Sequence, residues 1–197
     1  QFHLVFDEIQ SGMGRAGTFL ASEQFHVVGD YYLLAKSLGG GLAKISALLI
    51  RRSVYEDEFG LIHSSTFAED DFSANIALKS LELLEQDRLI QHCRDKGAYL
   101  LSELGKLQKR YPKIIKAVRG RGLMLGVRID DLLDSGSRTL KAFSDQRYLG
   151  YLIAGYLLHE HNIRVAPTLS HSGTIRIEPS AYINHSDCDK LILALET

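Results

Sequence analysis

Two stretches of this sequence put reactive side chains where a strand should end. "LVFDEIQ" runs apolar residues into Asp7, and "YYLLAKSLGGG" runs them into Lys36, with three glycines close behind. A lysine amine can condense with an aldehyde to give an imine. A carboxylate can hold a proton on a heteroaromatic nitrogen, so that the ring draws electrons. In parallel α/β sheets ligands bind beyond the carboxyl ends of the strands, so the two groups would meet at one rim. Thin glycine backbone beside the lysine would let a ligand approach. The bland alternative is a strand-end lysine reaching water near a surface carboxylate, a pair worth little energetically.

The elements that must position these residues can be read from hydropathy patterns. Residues 2–6, 31–35 and 46–50 have the length and composition of short buried strands, with a modest helical segment at 20–25. Short strands joined by helix or loop predict an α/β layer with a mostly parallel sheet. On such a sheet, an amine and an acid at one rim form the set that a pyridoxal phosphate site requires. From Asp71 the period changes: Ile76, Leu78, Leu81, Leu84, Leu89 and Ile90 recur at helical spacing behind acidic and Ser N-cap candidates. This predicts one long helix, or two with a break near 86–88, ending before Pro112. Glycines 120, 122 and 126 predict a turn into a strand, with Arg119 and Arg121 in that turn. Residues 145–161 read as an amphipathic helix, "NIRVAP" and "TIRIEP" as short strands, and "SDCDKLILALE" as a capped helix. The expected organisation is the C-terminal part of a large parallel-sheet domain over 1–72. A long connecting helix and a small α+β domain would then fill 73–197.

Bulk properties narrow the classes. The 197 residues carry 23 Lys plus Arg against 24 Asp plus Glu, a formal net charge of -1, which argues against nucleic-acid or membrane-surface binding by general electrostatics. No apolar run is long enough to span a bilayer. Two cysteines without a CxxC pair fit a reducing, cytoplasmic setting. The opening "QFHLVFDEIQ" starts inside a strand-like run, without an initiator methionine or signal-peptide pattern, so a piece of a longer protein is expected.

Other motifs carry less. "GMGRAG" matches the dinucleotide fingerprint G-x-G-x-x-G, but five residues separate it from the strand, and no strong helix opens at Gly17 to receive a pyrophosphate. The "GGGLAKI" run lacks the lysine and hydroxyl spacing of a phosphate loop. His159 and His161 stand two apart on a helix and make a poor metal pair. No metal site is expected.

"FDEIQSGMGRAG", a following "GD", and "LAKSLGGG" together closely resemble the signature of class III pyridoxal-phosphate aminotransferases of fold type I. That group includes ornithine, 4-aminobutyrate and ω-amino acid transaminases. The resemblance continues through "HSSTF", "RGRGLMLG" and "IRIEP". It implies that Asp7 binds the pyridine nitrogen, Gln10 the phenolic oxygen of the ring, and Lys36 the cofactor aldehyde as an imine before shuttling the proton. It also implies that Ser65 and Thr66 contact the cofactor phosphate of a neighbouring subunit, so a homodimer is expected. Arg176 would hold a substrate carboxylate through its bidentate fork.

In the family, the phosphate loop and the aromatic stacked on the ring precede this stretch, so the missing N-terminal part of the same chain would complete the site. The substrates implied are an amine or amino acid donor and a keto acid or aldehyde acceptor. Racemase, decarboxylase or aminomutase chemistry uses the same lysine and acid. A non-catalytic homologue is a further alternative, because "AEDDFSAN" replaces the usual glycines, asparagine and proline. Its three acids are awkward beside a phosphate unless they turn away as helix caps.

Overall fold

The computed structural model describes residues 2–63, 66, 68–129 and 136–197. The chain divides into two compact units, Gln1–Gln91 and His92–Thr197.

In the first unit, strands β1 (Val5–Asp7), β2 (Tyr31–Leu34) and β3 (Ala47–Ile50) form a sheet in that order. β1 and β2 run parallel, with Asp7 opposite Leu33, whereas β3 returns antiparallel, with Ala47 opposite Leu34. The predicted mostly parallel sheet is therefore mixed here. The β2–β3 connection carries only a one-turn 3-10 helix over Lys36–Gly39, where a further parallel strand would need a full crossover. Asp30 pins the sheet edge: its carboxylate accepts from the Leu4 amide at 2.8 Å and pairs with Arg51 at 3.3 Å.

Helix α1 covers Asp57–Ile62 and α2 covers Asp71–Gln86. Ala77, Leu81 and Leu84 lie on one face of α2 and pack against Met13, Leu34 and Leu38. This helix thus belongs to the first compact unit. Its N-cap is Asp70, which accepts from the Ser73 amide at 2.8 Å; the Ser73 hydroxyl first, and this amide second, lower the Asp70 pKa. Asp71 sits in the first turn, where negative charge suits the helix dipole. Two of the three awkward acids are accounted for as a cap and a first-turn residue. α2 ends at the expected break, where Arg88 takes a left-handed φ of 51°.

The second unit holds most of α3 (Leu89–Arg110) and a four-stranded antiparallel sheet of order β4-β5-β7-β6. Its strands are β4 (Ile115–Arg121), β5 (Met124–Ile129), β6 (Ala166–Pro167) and β7 (Thr174–Ile177). Leu100, Leu104 and Leu107 from α3 pack on Leu125, Val127, Ile129, Ile175 and Ile177 of the sheet, with Cys93, Cys188 and Leu191 in the same core. The last two core residues come from α6 (His185–Glu196), whose cap is Asn184, two residues before the Ser186 that opens the stretch read as a capped helix.

Two local expectations change. The Arg119–Arg121 stretch is strand, and the turn falls at Gly122–Leu123. Gly120, at φ 149°, is needed because a Cβ there would lie 2.2 Å from the Met124 carbonyl oxygen. The helix expected at 145–161 starts later, as α5 (Leu149–His161); a separate α4 (Arg138–Asp145) precedes it, and Arg147 turns left-handed at φ 59° between them.

Candidate active site

Pairing of β1 with β2 in parallel brings the carboxyl ends of both strands to one rim of the first unit. Successive residues of an extended chain face opposite ways, so at the end of β1 Asp7 is exposed while Glu8 is buried. The Asp7 Oδ1 accepts from the Ile9 amide at 3.1 Å, which holds the carboxylate at the start of the turn. Two residues beyond β2, Lys36 adopts φ 48° and opens the 3-10 turn. A left-handed lysine is strained, and such strain persists only where surrounding structure imposes it. Its Nζ donates to the Oε1 of Gln10 at 3.1 Å. Asp7, Gln10 and Lys36 are thus gathered on one rim.

One of the glycines after Lys36 also has a packing task. Gly40, at φ 59°, caps the 3-10 turn, and a Cβ there would lie 2.7 Å from the Ser80 hydroxyl on α2. Gly40 lets the chain turn sharply and pack against α2, whereas a Cβ on Gly41 would meet nothing within 4 Å.

Sequence reasoning missed Glu8. Its side chain is only 2% exposed, and it accepts from the Ser11 hydroxyl at 2.5 Å and the Ser22 amide at 2.9 Å. Its backbone oxygen accepts from the Gly12 amide at 3.0 Å. A Cβ on Gly12 would lie 2.8 Å from that same oxygen, so the glycine permits the turn. Glu8 therefore gathers the loop that carries Gln10 toward Lys36. The only available signal was an acid directly after a rim acid, where strand alternation sends it inward. The rest of "GMGRAG" is turn, followed by a 3-10 helix over Ala21–Phe25, not an anion-binding α-helix.

Thr66 is exposed, in a turn between α1 and α2 of the first unit. Ser65, also expected at the phosphate, lies outside the described residues. Arg176 lies on β7 in the second unit, between Ile175 and Ile177, which are buried in the core. One of its guanidinium nitrogens is 4.0 Å from Glu178, and its buried Nε has no partner among the described residues. Among the described residues no group of three His, Cys, Asp or Glu side chains could hold a metal, and no helix is long and apolar enough to cross a membrane.

A family model for class-III aminotransferases matches residues 1–193. The chain belongs to the class-III aminotransferase family. Its fold is similar to a transaminase solved with L-alanine, at 27% identity and a TM-score of 0.83 over 99% of this chain and 45% of that one. An acetylornithine aminotransferase from Elizabethkingia anophelis is similar at 27% identity and a TM-score of 0.79, covering 99% of this chain and 46% of that one. The ornithine aminotransferase of Toxoplasma gondii matches at 26% identity and a TM-score of 0.80, covering 98% and 42%. This class-III chain therefore spans less than half the length of the solved transaminases it resembles.

The rim fits the family's cofactor chemically. It offers a primary amine, a carboxylate whose Oδ2 has no partner among the described residues, and an amide side chain able to accept or donate.

Proposed function

We propose that the complete protein is a pyridoxal 5'-phosphate-dependent aminotransferase that moves an amino group from an amine or amino acid to a keto acid or aldehyde. The observation that carries this reading is the Lys36–Gln10 contact of 3.1 Å at the rim where Asp7 ends β1, in a chain matched over 1–193 by the family. When bound, the cofactor supplies a protonated pyridinium ring that withdraws the electron pair left when a substrate carbon loses its proton. Asp7 holds the proton on the ring nitrogen, because a carboxylate opposite a cationic N–H favours the charged form. Gln10 orients the Lys36 amine and reaches the phenolic oxygen of the ring. Lys36 would hold the cofactor through its aldehyde, and its amine would move a proton at the substrate carbon as general base and then acid. Arg176 holds the substrate carboxylate through its fork.

The remaining parts of the proposal concern assembly. Residues 1–72 belong to a cofactor domain and 73–197 to the connecting helix and small domain. The enzyme is a cytoplasmic homodimer in which Ser65 and Thr66 reach a cofactor phosphate across the subunit boundary. Preceding polypeptide completes the site. The exposure of Val5 on β1 and of the neighbours Leu48 and Leu49, which face opposite sides of β3, supports a missing cover, since clustered exposed apolar side chains mark surface that further polypeptide buries.

The test uses the full-length protein loaded with cofactor. Borohydride reduction followed by peptide mass analysis is expected to leave the cofactor mass on the peptide holding Lys36. Lys36→Ala should lose essentially all amino transfer between a donor and a keto acid. Cofactor mass on another lysine, or a Lys36→Ala variant with most of the transfer rate, would refute the assignment.

A further inference from the structure

The second sheet has two unlike faces. Val127, Ile175 and Pro167 align across β5, β7 and β6 and are buried, which marks the core face. The next row along lies on the opposite face. There Arg119 on β4 stands opposite Gly126 on β5, Gly126 opposite Arg176 on β7, and Arg176 opposite Ala166 on β6. Residues directly opposite one another in antiparallel strands project from the same face. Two arginines therefore flank a glycine in one straight row, with only a methyl group beyond.

Neighbouring strands lie about 4.8 Å apart, which sets the two arginine backbones about 10 Å from each other, and each side chain can lean over Gly126. Charge is concentrated on this face. Arg121 and Arg128 align with Met124 and Thr174 in the flanking rows, and Glu178 lies 4.0 Å from Arg176. The chain as a whole carries a formal net charge of only -1, so the clustering is local.

The Arg176 Nε is buried and has no partner among the described residues. A buried donor without an acceptor is costly, and native structures supply one from protein, water or ligand. Arg119 is exposed, and no hydrogen bond or ion pair ties its side chain to another described residue. Gly126 leaves the lane between the two open. A Cβ built there would meet nothing closer than the Thr174 methyl at 3.4 Å, so the absence of a side chain is not forced by crowding.

We propose that Arg119 is a second carboxylate-binding arginine of the substrate site, clamping the anion together with Arg176 across the lane left by Gly126. The clamp rests on the reading of Arg176 as a carboxylate-binding residue and adds a partner to it. Its ligand class is a substrate bearing a carboxylate, held by charge-assisted hydrogen bonds from two forks instead of one. Arg119 thereby sets the preference for amino acids over amines that lack a carboxylate.

Calorimetric titration of the full-length holoenzyme with valerate, and with neutral valeramide as control, tests this. Valerate should bind in preference to valeramide. Arg119→Ala and Gly126→Val should each weaken valerate about tenfold, the loss of one charge-assisted contact, while Arg119→Lys recovers part of the affinity. Gly126→Val fills the lane with a residue suited to a strand, so it serves alone if Arg119→Ala melts early. The kcat/KM ratio for a carboxylate-bearing donor over a carboxylate-free amine should fall by a similar factor. Valerate affinity within twofold of wild type in both variants, with Arg176→Ala tenfold weaker, would overturn the clamp while leaving the Arg176 reading intact. An unchanged Arg176→Ala would overturn both.

Discussion

Removing the Glu8 carboxylate should loosen the loop that holds Gln10 against Lys36. Glu8 is 2% exposed and accepts from the Ser11 hydroxyl and from the amide of Ser22, itself only 3% exposed. A hydrogen bond to a carboxylate contributes about 1.5–3 kcal/mol, and a buried donor left without an acceptor costs about 1–3 kcal/mol. Glu8→Ala deletes both bonds and strands the Ser22 amide, for an expected loss of about 3–5 kcal/mol. That is a large part of a typical stability of about 5–15 kcal/mol.

Glu8→Gln keeps one oxygen for the Ser22 amide and turns its NH2 toward Ser11, whose hydroxyl can rotate to accept. Its expected cost is about 1 kcal/mol. The assay is calorimetric melting of the full-length holoenzyme, with the rate of cofactor loss in dilute solution as a second readout. Glu8→Ala should melt several degrees earlier and shed cofactor faster than Glu8→Gln. A Glu8→Ala variant within about 0.5 kcal/mol of wild type, or a Glu8→Gln variant as damaged as Glu8→Ala, would refute this role for the buried carboxylate; that threshold is the usual range of surface substitutions.

Two further outcomes follow from the second unit. Leu104 is fully buried between α3 and the sheet, so Leu104→Ala should cost about 2–5 kcal/mol by denaturant unfolding, and a loss below 1 kcal/mol would mean the core is not packed as described. The Tyr99 hydroxyl donates to Asp189, a bond that, with lesser burial and charge effects, pushes its pKa up to about 12. The folded state therefore favours the protonated phenol, and the stability this gives is complete below the unfolded value near 10 and fades as pH rises from there toward about 12. Tyr99→Phe should flatten that part of the melting-temperature profile, and an unchanged slope would show that the bond does not form in solution.

What the sequence determined by itself was local. The strand ending at Asp7, the strand ending just before Lys36, the helix break near Arg88 and the acidic cap of α2 were legible because each depends on side-chain period or on a polar residue at a terminus. The motif from Asp7 to Gly41 also carried the family, which the match over 1–193 shows. Only tertiary structure decided the rest. β3 runs antiparallel, the Arg119–Arg121 stretch is strand instead of turn, and Glu8 is folded inward onto Ser22. The alignment of Arg119, Gly126 and Arg176 was likewise invisible, because register is set by pairing between segments far apart in sequence. Hydropathy tells each strand which face to bury, but the partner across the sheet is chosen by packing of the whole unit, and that choice decides which arginines share a face.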